Sequence, residues 1–378
     1  MPWKIIQKVK KTMMTLENLH QKIESRDAHI AIIGLGYVGL PVACMFAQAG
    51  FSTIGVDVDS ARIEKINRGE NPIEGKEPGL AELIAQVTQT GKLHCTTDYA
   101  ALHNTDVVLV SVQTPVEDSD HRPRYQHLQS ALAALGKVLK TGALVIIEST
   151  LAPGTIHRIV IPALEAAVGG SAGEAFQIGH CPERVMPGKL LHNITKMDRV
   201  VGGQTPEVAQ VMVSLYRNIV EGELDPTDPL TAELVKTTEN AYRDVQIAFA
   251  NEVARICETL GGDVWRVREL VNKSPGRNMH FPGAGVGGHC IPKDPWLLIT
   301  NAADAVQPVL IPAARNVNRA MPGHVVKLTE DALAACGIAL KDATLAVLGY
   351  AYLQNSDDTR DTPTQTFIEA ASERGAIL

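Results

Sequence analysis

The chain has 378 residues, a formal net charge of −7 and a sequence pI near 6.0. This length allows two or more domains, and the lack of a basic excess argues against a nucleic-acid-binding protein. The six cysteines form no CxxC pair and show no regular spacing, which argues against a disulfide framework and a zinc finger and indicates a reducing, cytoplasmic compartment.

Residues 1–28 are predicted to be an N-terminal extension. The segment is basic and then amphipathic, and it lacks the continuous apolar run of a signal peptide or a membrane span. We expect a helix that docks on the body of the protein or on a partner. Binding to a membrane surface through Lys4, Lys8, Lys10 and Lys11 is an alternative that we favour less than a solvated helical face.

Residues 29–225 are predicted to form a Rossmann-like domain around a doubly wound parallel sheet. HIAIIGLGYVGLPVACMFAQAG joins an apolar strand to Gly34-x-Gly36-x-x-Gly39 and a helix, and FSTIGVDVD adds a second strand that closes with Asp57. This order is typical of a dinucleotide-binding fold, in which the helix N-terminus meets the pyrophosphate. A carboxylate at Asp57 would accept hydrogen bonds from the ribose and repel a 2′-phosphate, which favours NAD over NADP.

Other cofactor-binding candidates lie near this turn and at the ends of later strands. Tyr37 and Val38 belong to the glycine-rich turn, and Arg62 follows Asp57. TDVVLVSVQTP and GALVIIEST are predicted strands, with EPGLAELIAQV and HLQSALAALGKVL as helices, and Thr114 and Ser149–Thr150 lie at strand C-terminal ends where ligands bind. Capping of a helix or turn is the alternative role for these hydroxyls.

Residues 226–325 are predicted to be a central helical domain with one long helix, from an N-cap at Asp228 to Gly261-Gly262. Lys236 and Asn240 share one face, beside Glu233 and Glu239. A solvated, ion-pairing face is the simplest interpretation. The rest of the helix surface is apolar, with Leu234, Val235, Tyr242, Val245, Ile247, Phe249, Val253 and Ile256. This favours a mostly buried helix in which Lys236 has a function. It also favours a homodimer that forms through this helix.

The loop GAGVGGHCIPKDPW surrounds Cys290 with glycines, and such a sequence suits a close approach to a ligand better than a packed strand or helix. Cys290, Lys293 and Asp294 can supply a nucleophile, an oxyanion stabiliser and an orienting acid, and Lys293 would lower the pKa of the thiol. The four cysteines in apolar or ordinary contexts are expected to be buried and inert, namely Cys44, Cys95, Cys257 and Cys336.

A zinc site made of His180-Cys181 and His289-Cys290 is disfavoured, because adjacent residues chelate awkwardly. We therefore predict no metal.

From about residue 29 to the C-terminus, the chain resembles the nucleotide-sugar 6-dehydrogenases of the UDP-glucose/UDP-mannose dehydrogenase family. The motifs that carry the resemblance are GLGYVGLPVA, SVQTPV, EST, CPERVMPG, the KTTEN helix, GVGGHCIPKDPW and NSDDTRDTP. The resemblance implies that Cys290 attacks the C6 aldehyde from a first oxidation, that the thiohemiacetal is oxidised to a thioester, and that water releases the acid.

The resemblance also implies roles for individual residues. Asp294 and Lys236 would handle the water, the proton and the oxyanion, Asn240 would position the substrate, and Glu183 would support thioester hydrolysis. Thr114, Glu148 and Thr150 would lie along the cofactor. The implied substrate-binding residues are Arg184, Val185, Lys236, Asn240, His289, Lys293 and Arg360.

The pattern of His289-Cys290 with PERVMPG is similar to the branch of the family that acts on UDP-N-acetylhexosamines. UDP-N-acetylmannosamine is the first choice, followed by UDP-N-acetylglucosamine, and Lys293 keeps UDP-glucose open because glucose-branch members usually carry it. Leu353 stands where the family often has a lysine after Tyr352. Residues 326–378 are expected to be an incomplete C-terminal Rossmann-like α/β domain, containing one strand, the Arg360 loop, one helix and the start of another strand.

Two other functions remain open at this point. A two-electron dehydrogenase of the hydroxyacid type would share the NAD domain and a lysine-bearing helix, but it has no need for a cysteine in a GGHC loop. A truncated, non-catalytic NAD-binding subunit is opposed by the presence of Cys290, Lys236, Asn240 and Asp294 together.

Overall fold

The computed structural model describes residues 15–354 and 356–378, so the lysines proposed for a membrane surface lie outside the described residues. It divides into two compact units: residues 15–117 with 123–236, and residues 118–122 with 237–378. The predicted domain boundaries at residues 225 and 325 stay predictions.

The first unit is built on one eight-stranded sheet. Its strands are β1 (His29–Ile33), β2 (Ser52–Val56), β3 (Leu93–Thr96), β4 (Val107–Val110), β5 (Leu144–Ile147), β6 (Gln177–His180), β7 (Arg199–Gly203) and β8 (Leu224–Thr227), in the spatial order β3-β2-β1-β4-β5-β6-β7-β8. This confirms the predicted doubly wound α/β fold.

One neighbouring pair departs from the predicted parallel arrangement, because β6 and β7 are antiparallel. The connection between these two strands contains only the seven-residue helix α7 (Leu190–Lys196). Antiparallel neighbours can be joined by connections of many kinds, whereas parallel neighbours need a crossover connection. β7 and β8 therefore run opposite to the first six strands.

Helices cover both faces of the sheet. They are α1 (Leu16–Glu24), α2 (Gly39–Gln48), α3 (Ser60–Asn67), α4 (Leu80–Gln89), α5 (Gln126–Gly136), α6 (Ile161–Val168), α7 and α8 (Pro206–Tyr216), with a π-helical turn at Ile156–Val160 before α6. Along β1, Ile30 and Ile32 enter one apolar core, and Ala31 and Ile33 enter the other. Both faces are thus buried, as the nearly continuous apolar strands predict.

The described part of the N-terminal extension is a helix docked on this unit. Leu19 and Ile23 of α1 are buried, and the helix packs on α8. Lys22 Nζ lies 3.0 Å from Asp106 Oδ1. The predicted docking on the body is therefore present.

The second unit is helical. The long helix α9 (Pro229–Leu260) begins in the first unit and continues here, followed by α10 (Val264–Val271), α11 (Asp294–Thr300), α12 (Ala303–Val306), α13 (Leu310–Ala335) and α14 (Pro363–Glu373). Its apolar core centres on Val326, Leu340 and Ala371. Among the described helices, none is long and apolar enough to cross a membrane.

The predicted ends of α9 are confirmed, but the predicted burial is only partly correct. Asp228 Oδ1 accepts the Thr231 backbone N–H at 2.9 Å, and the Gly262 N–H closes the helix on the Cys257 carbonyl at 2.7 Å. Tyr242, Phe249 and Ile256 are 62%, 57% and 52% exposed. Because these three are spaced by seven residues, they lie on one helix face that the unit leaves uncovered. Leu234 is also exposed, whereas Val235, Val245, Ile247 and Val253 are half-buried.

The strand predicted in ATLAVLGY does not form. In the described C-terminal residues, pairing is limited to a bridge between Thr344 and Ile377, and Leu348 is 94% exposed. A strand is stabilised by its neighbours, and Ile377 alone pairs with this segment. The helix predicted after the Arg360 loop is present as α14.

Candidate active site

The glycine-rich turn after β1 has the backbone that a dinucleotide requires. Gly34 has φ +92°, and a Cβ there would lie 2.5 Å from the Ser111 carbonyl oxygen. A Cβ on Gly39 would lie 1.9 Å from the Gly34 carbonyl oxygen, whereas one on Gly36 would meet no atom within 4 Å. The first and third glycines are thus required by close packing, and the second leaves open space where a pyrophosphate can approach.

Asp57, which directly follows β2, is buried and fixed against this turn. Its Oδ2 accepts the Leu35 N–H at 2.7 Å, and its Oδ1 accepts the Asp59 N–H at 3.0 Å. Arg62 Nη1 also donates to Oδ2 at 3.2 Å. The predicted cofactor residues Asp57 and Arg62 are therefore adjacent, and Tyr37 and Val38 pack on the nearby apolar core.

The loops after β4 and β5 are joined by their hydroxyl groups. Thr114 Oγ1 donates to the Thr150 carbonyl at 2.8 Å, and Ser149 Oγ donates to the Val112 carbonyl at 2.6 Å. Thr114 and Thr150 are thus brought together at the C-terminal edge of the sheet, where the sequence placed them.

Glu148 lies in the interior of the first unit. Its Oε1 accepts the Tyr216 hydroxyl at 2.8 Å and is 3.8 Å from Arg199 Nη1. Burial raises the pKa of Glu148 to about 7, against the lowering effect of Arg199. The sequence did not indicate this buried cluster, and the predicted contact of Glu148 with the cofactor stays a prediction.

The loop after β6 carries Glu183, Arg184 and Val185. Glu183 Oε1 accepts the Val185 N–H at 2.9 Å, while its buried Oε2 has no hydrogen-bond partner among the residues that the structure describes. Burial raises the pKa of Glu183, although the positive charge of Lys236 acts to lower it. Arg184 Nη1 donates to the Asp198 carbonyl at 2.6 Å.

The start of α9 is held by a carboxylate whose role the sequence did not show. Glu233 is fully buried and accepts the backbone N–H of Gly154 at 2.6 Å and of Ile156 at 2.8 Å. Lys236 follows one turn later and is buried as well. The solvated ion-pairing face is therefore wrong for Glu233 and Lys236, but Glu239 is exposed.

In the second unit, the residues around Cys290 form one cluster. Cys290 is exposed, and its carbonyl accepts the Asp294 N–H at 2.9 Å as the chain turns into α11. The buried Asp294 accepts the Asn240 side-chain amide at Oδ2, at 2.5 Å, and its Oδ1 lies 3.0 Å from Lys293 Nζ. The structure thus brings together a cysteine, a lysine, a carboxylate and an amide that is hydrogen-bonded to the carboxylate.

The Gly287–Gly288 backbone packs against the segment that carries Arg360. The Gly288 N–H donates to the Arg360 carbonyl at 2.9 Å, and a Cβ on Gly288 would lie 2.7 Å from Tyr352 Cζ. Arg360 makes two bonds to Asp358, at 2.9 and 2.6 Å, and the side-chain hydrogen bond is the main cause that raises its pKa. Tyr352 was not identified as part of this site from the sequence.

His289 sits beside this cluster. Burial, followed by the positive charges of Lys293 and Arg360, lowers the pKa of His289. We therefore expect a neutral imidazole next to Cys290 near pH 7.

Comparisons with known proteins show the family of this chain. Residues 28–220 match the family model of the UDP-glucose/GDP-mannose dehydrogenase family, NAD binding domain, and residues 230–320 match that family's central domain. The chain belongs to the UDP-glucose/GDP-mannose dehydrogenase family. It is an NAD-dependent nucleotide-sugar dehydrogenase, and NAD is its cofactor.

Relatives in this family are similar over most of their length. A UDP-N-acetyl-D-mannosamine dehydrogenase from Pyrococcus horikoshii is 41% identical, over 90% of this chain and 80% of the relative. A solved UDP-D-ManNAc dehydrogenase from the same organism has a TM-score of 0.86 at 40% identity, covering 92% of this chain and 82% of the other. An NDP-N-acetyl-D-galactosaminuronic acid dehydrogenase from Methanosarcina mazei has a TM-score of 0.82 at 36% identity, covering 95% and 80%.

The cysteines of the protein differ in their exposure to solvent. Cys44, Cys95 and Cys257 are buried as predicted, but Cys336 is exposed, because it ends α13 at the surface. Burial raises the pKa of Cys95 to about 12. Within residues 15–354 and 356–378, no three or more metal-ligating side chains lie close enough together to hold a metal ion.

Proposed function

We propose that the protein oxidises the C6 hydroxyl of UDP-N-acetylmannosamine to the carboxylate in two NAD-dependent steps. The observation that carries this proposal is the exposed Cys290 beside Lys293 and the hydrogen-bonded pair of Asn240 and Asp294. A four-electron oxidation needs a nucleophile that retains the aldehyde between its two steps, whereas a two-electron hydroxyacid dehydrogenase does not.

When bound, NAD supplies the hydride acceptor for each oxidation. The Cys290 thiolate adds to the C6 aldehyde, and the resulting thiohemiacetal loses a hydride and a proton to become a thioester. Water then attacks the thioester carbon, and the Cys290 thiolate leaves as the carboxylate forms. Overall, one alcohol, two NAD⁺ and one water give one carboxylic acid, two NADH and two protons.

Each neighbouring group has a task in this sequence of steps. Asp294, held by Asn240, accepts a proton from the attacking water, and Lys236 stabilises the oxyanion. Glu183 supports hydrolysis, since one oxygen of its buried side chain makes no hydrogen bond among the described residues and can accept a proton. Asn240 also contacts the substrate in this proposal.

The sugar nucleotide is proposed to contact Arg184, Val185, His289, Lys293 and Arg360. The arginines and Lys293 provide positive charge for the diphosphate. A neutral His289 is suited to hydrogen bonding with the sugar. The names of the relatives support an N-acetylhexosamine, with UDP-N-acetylglucosamine and UDP-glucose as the alternatives.

We also propose a cytoplasmic homodimer that forms through the exposed face of α9. Tyr242, Phe249 and Ile256 present a contiguous apolar strip, which is characteristic of protein interfaces. No disulfide links any of the six cysteines, all of which lie in the described residues, in keeping with a reducing compartment. The substitution Phe249→Glu should yield monomers in sedimentation experiments, and an unchanged mass would exclude this interface.

The test of the catalytic proposal is to count the NADH formed per sugar consumed. Purified protein is incubated with excess NAD and a limiting amount of UDP-N-acetylmannosamine, with UDP-N-acetylglucosamine and UDP-glucose in parallel. We expect two NADH per UDP-N-acetylmannosamine and a uronic acid product. One NADH per sugar would contradict the thioester route, and faster turnover of another sugar would correct the substrate.

A further inference from the structure

Glu77 lies in the connection between α3 and α4 and binds two loops of the first unit at once. Its Oε1 accepts the Tyr37 hydroxyl and the Gly188 N–H, the latter at 2.8 Å. Its Oε2 accepts the Leu190 N–H at 3.1 Å. Tyr37 belongs to the glycine-rich turn, and Gly188 and Leu190 end the loop that carries Glu183.

The Glu77 segment is anchored on both sides. Leu80, the first residue of α4, is buried in the apolar core, and Ile73 packs partly against the same core. A Cβ on Gly79 would lie 3.5 Å from Leu191 Cδ1, so the backbone before α4 runs close to α7. The carboxylate is thus a fixed bridge, because movement of either loop must break one of its hydrogen bonds.

We propose that Glu77 is a positioning residue that couples NAD binding at the glycine-rich turn to the order of the loop carrying Glu183. A cofactor that immobilises Tyr37 also immobilises the carboxylate that Tyr37 holds, and with it the amides of Gly188 and Leu190. By linkage, ordering of the Glu183 loop by the sugar nucleotide strengthens NAD binding equally. The ordering of this loop by a sugar nucleotide rests on the proposed function, whereas the response of the loop to NAD does not.

Amide hydrogen exchange measures this coupling with NADH alone, without any sugar. In the wild-type protein, saturating NADH should slow exchange in residues 186–191 by about 5-fold or more, the lower end of typical coupling between sites. Glu77→Gln should remove most of this response, because the new NH2 group cannot accept a hydrogen bond and the side chain can no longer bind donors from both loops through two oxygens. The matched control is Glu74→Gln, an exposed carboxylate of the same segment, which should keep the full response.

Tyr37→Phe separates positioning from simple structural support. It leaves both Glu77 oxygens on the backbone amides, so exchange in residues 186–191 of the free protein should not change. The response to saturating NADH should nevertheless be lost, and a response that persists in both Tyr37→Phe and Glu77→Gln would overturn the proposal.

The outcomes also distinguish this inference from the proposed function. If no sugar is oxidised but the exchange pattern holds, only the function is wrong. If two NADH form per sugar, but NADH does not change amide exchange in residues 186–191 of the wild-type protein, the proposed coupling is wrong. In an active enzyme, Glu77→Gln should raise KM for NAD more than it lowers kcat, and Glu74→Gln should change neither.

Discussion

The two units hold their functional side chains in different ways. In the first unit, Asp57, Thr114 and Thr150 lie at the ends of strands that are buried on both faces, so their positions follow from the packing of the sheet. The second unit has a small apolar core, and its helices are joined by a buried ion pair between Arg315 and Asp244. The strands that carry the cofactor-site residues are thus placed by apolar packing, whereas helices of the second unit are joined by directed polar contacts, which fail when one partner is lost.

The substitution Cys290→Ala should have the largest effect, because it removes the proposed nucleophile and leaves the fold intact. Formation of the uronic acid should fall by several orders of magnitude, as expected for loss of a covalent catalyst. The dissociation constant for NADH should not change, since the glycine-rich turn belongs to the other unit. Mass spectrometry of the product and a fluorescence titration with NADH measure the two effects.

Cys336→Ala is the matched control, because Cys336 is exposed in the same unit and lies outside the Cys290 cluster. It should keep wild-type turnover. Acid formation by Cys290→Ala at two NADH per sugar would show that the oxidation does not proceed through a thioester.

Arg315→Met should destabilise the second unit selectively. Arg315 Nη1 is 2.5 Å from Asp244 Oδ1, and Asn318 Nδ2 donates to the same oxygen at 2.8 Å. Breaking a buried pair leaves an uncompensated charge and costs about 3–5 kcal/mol. Amide exchange should accelerate along α13 and at Gly283, whose N–H is held by Asn251 in the same network.

The control for this variant is Arg319→Met. Arg319 lies on the same helix, and its Nη2 is 3.4 Å from Oδ1 of the exposed Asp118. Exposed ion pairs contribute about 0–1 kcal/mol. If Arg315→Met accelerates exchange equally in β1 and β4, the two units do not differ in the way described.

The features that the sequence predicted are those encoded by neighbouring residues. The glycine-rich turn, the acid after β2 and both ends of α9 each depend on a short stretch of chain, and all are present. Cys290, Lys293 and Asp294 form a cluster because they share one turn into α11.

The features that the sequence did not predict depend on residues far apart in the chain. Glu233 looked solvated because its partners, the amides of Gly154 and Ile156, lie in a distant loop. Glu77 and Tyr352 carry no local signal for the same reason. The strand predicted near Leu348 had suitable residues, but a strand also needs neighbours, which local sequence does not specify.

The buried His180 should contribute a loss of stability in acid, which tests the packed sheet of the first unit; the raised pKa of Glu148 contributes in the opposite direction. Burial lowers the pKa of His180 to about 4, and its ring Nδ1 lies 2.8 Å from the Ile147 carbonyl. The unfolded state binds the proton first as the pH falls below about 6.5, so stability present at pH 7 is lost toward pH 4. Between pH 7 and pH 5, the protonation of His180 should lower the free energy of unfolding by about 2 kcal/mol.

His180→Gln keeps a donor for the Ile147 carbonyl but does not titrate, so it should lose less stability between pH 7 and pH 5 in urea titrations followed by circular dichroism. His103→Gln is the control, since His103 makes a similar bond to the Ala100 carbonyl at 3.0 Å but is exposed. The assignment fails if His180→Gln and the wild-type protein lose stability equally.

Asp228→Ala should have the smallest effect, and it tests whether α9 depends on its cap or on its buried contacts. Asp228 accepts hydrogen bonds from both the N–H and the hydroxyl of Thr231, and loss of an N-cap costs about 1 kcal/mol.

The control is Asp263→Ala, which removes the equivalent cap of α10, where Asp263 accepts the Trp265 N–H at 2.9 Å. Both variants should fray one helical turn in amide exchange, but only Asp228→Ala should lower kcat, because Lys236 lies two turns after that cap. If the two variants keep the same kcat, the two backbone hydrogen bonds of Glu233 are sufficient to hold the start of α9, and the position of Lys236 is set by packing in the first unit alone.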